Sequence, residues 1–314
     1  MTGKAGKRGA KPPQRREKSR LTLGPLLYHW PAEKRRDFYF RIADEADIDE
    51  VYLGEVVCSK REPFFEPFLS ETAERLRAAG KRVVYSTFAL ITTPRELDSV
   101  RAKNAPDALI EVNDMAAVQA LDGKPFAIGP LINVFNEGAL DFLARKGAVR
   151  LVTLPELSAE SIGILAKAAK ARGIEVEVPV FGRQTLSVSM RCYHARSLGL
   201  HKDNCQFVCE RDPDGLPVGT LSGQDILTIN GVQTMSHGYL ALLKDLAGLR
   251  KMGVGAFRLS PQDTDMVRVA EIYRAALDGK DDPGALLDEL REELPSTPFI
   301  NGYMRGGRGL DWAE

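Results

Sequence analysis

Short apolar, β-rich runs and longer stretches with helical spacing alternate along the chain. The runs lie at Leu21–Leu27, Val51–Leu53, Val83–Phe88, Ala108–Val112, Phe126–Ile128, Val149–Leu154, Val176–Phe181, Ile226–Ile229 and Ala256–Leu259. Between most of them, apolar residues recur at three- and four-residue intervals over Ala32–Ala46, Glu66–Ala79, Pro94–Lys103, Met115–Leu121, Glu137–Lys146, Ser158–Ala171, Tyr239–Lys251 and Thr264–Leu277. Ser158, with Glu160 in the first turn after it, reads as a helix N-cap. Repetition of strand and helix predicts parallel strands joined by crossover helices. The number of units is close to eight, so the expected fold is α/β: an irregular (β/α) TIM-type barrel. A doubly wound open sheet is the second choice. No glycine-rich fingerprint follows the first strand, which weakens a dinucleotide-binding reading.

Two segments break the rhythm. Residues 182–225 hold a strand-like run, Thr185–Met190, and then a stretch rich in turn formers that includes Arg211-Asp-Pro-Asp-Gly-Leu-Pro217. Residues 279–293 are acidic and predict a solvated helix, and Phe299–Glu314 predicts an extended segment along the surface. The expected organisation is a disordered basic tail, residues 1–20, followed by one barrel domain, residues 21–314, with a cysteine-bearing insertion at 182–225.

Composition narrows the class. Of 314 residues, 44% are hydrophobic, ample for a core, and no apolar run approaches the length of a membrane span. The first twenty residues lack the apolar segment of a secretory signal, so the expected location is cytoplasmic. The net charge of zero hides an asymmetry: residues 1–20 carry eight basic residues and one acid, a charge of +7, which leaves −7 on the remainder. An acidic body argues against an enzyme that grips nucleic acid through a broad basic face.

The four cysteines, Cys58, Cys192, Cys205 and Cys209, carry the candidate chemistry. In a reducing compartment they are not a disulfide framework. Cys58 follows the run Val51–Leu53, at what would be the C-terminal mouth of the barrel. The other three fall together in the insertion. Four thiolates suit zinc or an iron–sulfur cluster, and spacing alone leaves both open beside unrelated thiols. His194 and His201 lie among the cysteines but read as loop residues. Polar residues at the predicted strand ends would ring the mouth. Of these, Glu55, Asn230 and Arg258 are the candidate substrate-binding residues.

Several strings resemble the peptidase U32 family. They are Tyr52-Leu-Gly-Glu-Val-Val-Cys-Ser-Lys-Arg61, Ser189-Met-Arg-Cys-Tyr-His-Ala-Arg196, Leu227-Thr-Ile-Asn-Gly-Val-Gln-Thr-Met-Ser236 and Val254-Gly-Ala-Phe-Arg-Leu-Ser-Pro-Gln262, with the opening Leu23–Pro31 and the closing Asn301-Gly-Tyr303. The resemblance covers roughly residues 21–305 and is strongest to the branch that serves O2-independent ubiquinone biosynthesis. It implies an irregular barrel and a [4Fe–4S] cluster on Cys58, Cys192, Cys205 and Cys209. It also implies a heterodimer with a UbiU-like U32 protein, a ubiquinone biosynthetic intermediate as substrate, and prephenate as hydroxyl donor. One departure from the wider family is that Phe181 stands where catalytic members carry a histidine, and Thr185 stands near a missing cysteine. This departure suits the cluster-bearing branch and leaves the catalytic half of the reaction to the partner. A self-contained hydroxylase of RNA bases and a structural zinc protein are the alternatives. Nothing in the sequence supports proteolysis.

Overall fold

The computed structural model describes residues 19–103 and 108–314, so the basic tail expected at residues 1–20 lies almost wholly outside the described residues. Seven strands come first: β1 (Arg20–Leu23), β2 (Glu50–Leu53), β3 (Arg82–Ser86), β4 (Leu109–Val112), β5 (Phe126–Ile128), β6 (Ala148–Val152) and β7 (Glu175–Val188). Then come β8 (Leu216–Gly219), β9 (Asp225–Asn230), β10 (Gln233–Ala241), β11 (Ala256–Leu259) and β12 (Phe299–Ile300). Strands β1 to β7 pair in order, all parallel, and β11 closes the ring by pairing parallel with both β7 and β1. The result is the expected α/β barrel of eight parallel strands with helices outside it. Among the described residues no helix is long and apolar enough to cross a membrane.

The alternation of side chains along each strand explains both faces of the barrel wall. Leu21 and Leu23, Val51 and Leu53, Ile110 and Val112, Phe126 and Ile128, Val176 and Val178, and Phe257 and Leu259 all belong to the main apolar cluster packed beneath the helices. The helices enter it through stripes such as Tyr39 and Ile42, and Ile162, Leu165 and Ala169. Ser158 caps its helix, as the sequence predicts, its hydroxyl accepting from the Ser161 amide at 3.2 Å.

The intervening residues point into the barrel, and many of them, though not Ala127, are polar. Thr22 (β1) and Tyr52 (β2) both donate to Glu177 (β7), at 2.7 and 2.6 Å. Arg258 (β11) pairs with Glu177 and, across the barrel, with Glu111 (β4), both at 2.7 Å. Arg150 (β6) pairs across to Glu50 (β2). The interior is therefore a hydrogen-bonded ion network rather than the layers of branched apolar side chains usual in such barrels. Each of these interior charges has opposite partners, which buried ions require.

The chain between β7 and β11 departs from the repeat. Strand β7 does not stop at the barrel rim but runs on to Val188 as one arm of an antiparallel sheet with β10, β9 and β8. Three expectations change here. The run Ile226–Ile229 is an arm of this outer sheet and not a barrel strand. The run Thr185–Met190 is for the most part a continuation of β7. The helix expected at Tyr239–Lys251 begins only at Leu246, because Tyr239, Leu240 and Ala241 pair with β7, and the first two also with β12. Pairing on both sides outweighs helical spacing over those residues.

Candidate functional site

All four cysteines line one small cavity at the foot of the outer sheet, together with Arg61, Lys60, Lys202, Phe207, Gly231 and Val232. Cys192 and Cys209 are buried and Cys58 and Cys205 half-buried, all as free thiols. Each is set by local backbone. Cys58 lies on the turn after β2, where Glu55 accepts from the amides of Val57 and Cys58 at 3.0 and 3.1 Å and is itself met by Arg35 at 3.4 Å. Cys192 caps a short helix, its sulfur accepting from the Ala195 amide at 3.4 Å. Between Cys205 and Cys209 the chain turns through Gln206 and Phe207, both with positive φ. For non-glycine residues such a conformation is costly and persists only when the surroundings enforce it.

Arg61 and Asn230 tie these pieces together. The Asn230 side chain donates to the carbonyls of Cys209 and Asp212, both at 2.9 Å, and accepts from Arg61 at 2.7 Å. Arg61 is 2% exposed and also donates to the Leu27 carbonyl at 3.2 Å. Gly231 makes room for it: a Cβ there would meet Arg61 Nη2 at 2.2 Å. Among the described residues Arg61 makes no direct ion pair; it bonds the Asn230 amide and the Leu27 carbonyl, lies beside the Cys58 and Cys209 thiols, and feels the Glu55 carboxylate at longer range. Burial raises the thiol pKa of Cys58, Cys192 and Cys209, and the Arg61 guanidinium pulls each back.

A second cavity, of about 210 Å³, opens at the C-terminal mouth of the barrel, the face on which barrel enzymes place their ligands. Its polar lining includes Glu111, Asn113, Gln184 and Arg258, all buried, with Asn133, Glu156 and Ser260 at other strand ends. Leu27 and Val188 line this cavity and also pack against the cysteine cluster, so one layer of side chains separates the two sites. Of the residues singled out from sequence for substrate binding, Arg258 lines the mouth cavity, whereas Glu55 and Asn230 brace the cysteine loops. Sequence reasoning missed Arg61, whose place in a Ser-Lys-Arg string reads as solvent-facing charge. It also missed Gln184 and Asn113, which carried no signal of their own.

Among the described residues no three His, Cys, Asp or Glu side chains are gathered tightly enough to hold a single metal ion. In comparison with solved structures, the chain is similar to an uncharacterised protein from Clostridium thermocellum that binds two copies of 5-methyl-5,6,7,8-tetrahydrofolic acid, with 13% identity, a TM-score of 0.43, and 84% of this chain and 96% of that one covered. The family model described as Peptidase family U32 matches residues 39–312. That span takes in both cavities and all four cysteines, and the chain belongs to the peptidase U32 family.

Proposed function

We propose that this chain is a counterpart of UbiV: the iron–sulfur subunit of an O2-independent hydroxylation of the ubiquinone precursor ring, working with a UbiU-like partner and prephenate as hydroxyl donor. The observation that carries the reading is the gathering of Cys58, Cys192, Cys205 and Cys209 on one cavity. Four thiols on one cavity are the kind and number of donors that a [4Fe–4S] cluster takes. Charge supports the same fit. The buried Arg61 guanidinium makes no direct ion pair among the described residues, and four thiolates around a cubane would set negative charge beside it.

Bound there, the cluster would supply one-electron chemistry. The chain's own residues do the holding. Glu55 fixes the turn that presents Cys58, Asn230 fixes the Cys209 loop, and Arg61 locks the two together. Leu27 and Val188 stand between the cluster site and the mouth cavity.

Anaerobic purification tests the reading. The expected product is a brown protein with about four irons and four sulfides per chain that co-purifies with a second U32 protein. Cys58→Ala and Cys205→Ala should each lose the cluster. A colourless chain with stoichiometric zinc would refute the proposal.

A further inference from the structure

The loop that carries Cys192 has two sides. Cys192, His194 and Ala195 turn inward and are buried, whereas Met190, Arg191, Tyr193, Arg196 and Leu198 face solvent. Three of the outward side chains are large and apolar: Met190 is 49% exposed, Tyr193 47% and Leu198 49%. Tyr193 and Arg196 lie three residues apart on the short helix Tyr193–Ser197 and share a face of it. Lys202 joins them, its ammonium 4.0 Å from the Met190 sulfur. Among the described residues Arg191, Arg196 and Lys202 make no ion pair, and the one acid of residues 189–205, Asp203, lies 3.6 Å from Lys60. Three unpaired cations thus alternate with three exposed apolar side chains on one loop, in a body whose net charge is −7. Met, Tyr and Arg are the side chains enriched at protein interfaces, and apolar surface gathered in this way favours being covered. The cations call for an acidic partner. A nucleic acid is the poorer match, because a polyanion running past the loop meets the acidic body. What lies beneath selects the partner's chemistry. Lys202 and the half-buried Cys205 line the cysteine cavity, and Cys192 stands between Arg191 and Tyr193. An electron entering a redox centre there from this side crosses a single loop. Electron-transfer encounters use small interfaces, below about 1,200 Å² in total, which suits a surface built on one loop.

We infer that the outer face of the 190–202 loop docks a small acidic protein that carries single electrons. Arg191, Arg196 and Lys202 pair with its carboxylates, and Met190, Tyr193 and Leu198 pack against its apolar centre. In the exchange one electron passes from the carrier to the cluster, and no bond is made or broken. The inference rests on the proposed cluster for the choice of an electron carrier, and it concerns a partner other than the UbiU-like subunit.

The test is calorimetric titration of the full chain, purified anaerobically, with a plant-type [2Fe–2S] ferredoxin, an acidic one-electron carrier. Ferredoxin should bind saturably at low salt, and at least about tenfold more weakly when ionic strength rises from about 0.02 M to about 0.3 M. Arg191→Glu with Arg196→Glu should weaken binding at low salt by at least about tenfold, and Tyr193→Ala by about tenfold. Lys167→Glu with Lys170→Glu makes the same change in net charge at exposed positions on the helix Ala159–Lys170. That control should bind within about twofold of wild type. In a stopped flow, dithionite-reduced ferredoxin should be reoxidised by the iron-loaded chain, and at least about tenfold more slowly by the chain with both arginines reversed. The inference is overturned by absent ferredoxin binding, by equal weakening in the Lys167 and Lys170 control, or by ferredoxin that binds the iron-loaded chain and stays reduced. It is also overturned if a short single-stranded RNA binds through the same two arginines more tightly than ferredoxin does. Iron is measured on the same samples. Full iron without ferredoxin binding counts against this inference alone. Zinc in place of iron, with ferredoxin still bound through the two arginines, counts against the cluster reading and leaves the docking surface standing.

Discussion

Replacing Arg61 with glutamine removes the one buried positive charge in the wall of the cysteine cavity. The guanidinium favours whichever state of the site is more negative, so with a cluster bound it favours the reduced form. A unit charge acting over about 6 Å, at an effective dielectric of about 20, contributes about 3 kcal/mol. For a one-electron couple this is on the order of 100 mV, at about 59 mV for each tenfold change in the equilibrium. Arg61→Gln should therefore lower the reduction potential by on the order of 100 mV, read by anaerobic redox titration with EPR detection. Arg61→Lys keeps the charge while losing the two-pronged hold on Leu27 and Asn230, and should move the potential much less. In the cluster-free chain Arg61→Gln loses the bonds to the Leu27 carbonyl and the Asn230 side chain and should lower stability. A potential within about 20 mV of wild type, a small fraction of the expected shift, would refute the assignment of Arg61 as counter-charge.

Two further predictions concern the supports of the sites. Gly231→Ala sets a Cβ against Arg61 Nη2 at a residue whose φ is +70°, and should cost about 2–3 kcal/mol by chemical denaturation and lower the iron content; unchanged iron and stability count against the clamp. In the barrel interior, burial raises the Glu177 carboxyl, but Arg258, Arg150 and the bonds from Tyr52 and Thr22 outweigh it and bring its pKa down to about 2. A depressed carboxyl contributes stability that is present above its ordinary value of about 4.5 and lost as pH falls from there towards about 2. Acid titration of unfolding should show this loss in the wild type, and Glu177→Gln should flatten the profile over that window while lowering stability at neutral pH; an identical acid profile in the variant would show that Glu177 is not the titrating group.

The rhythm of strand and helix was legible in the sequence because it is local. Runs such as Val176–Phe181 and the helical spacing at Ser158–Ala171 each report the burial of one element, and eight such units imply a closed barrel. The cysteines were legible as residue types, and Cys58 could be placed at a strand end. The sequence also marked residues 182–225 as different, from their turn formers. What it could not show was pairing. Tyr239–Ala241 has helical spacing but is a strand, because β7 and β12 flank it. Glu50, Glu111, Arg150, Glu177 and Arg258 sit in or beside apolar runs. Their inward direction, and the partners that make a charged barrel interior tolerable, come from strands on the other side of the ring. Arg61 is the clearest case. Beside Lys60 it has the look of a solvated charge. The tertiary structure buries it among thiols with no direct carboxylate partner, because the loop carrying Cys192–Cys209 closes over the loop after β2 from a distant part of the chain. A side chain's solvent is decided by what folds against it, and that is a property of the whole chain.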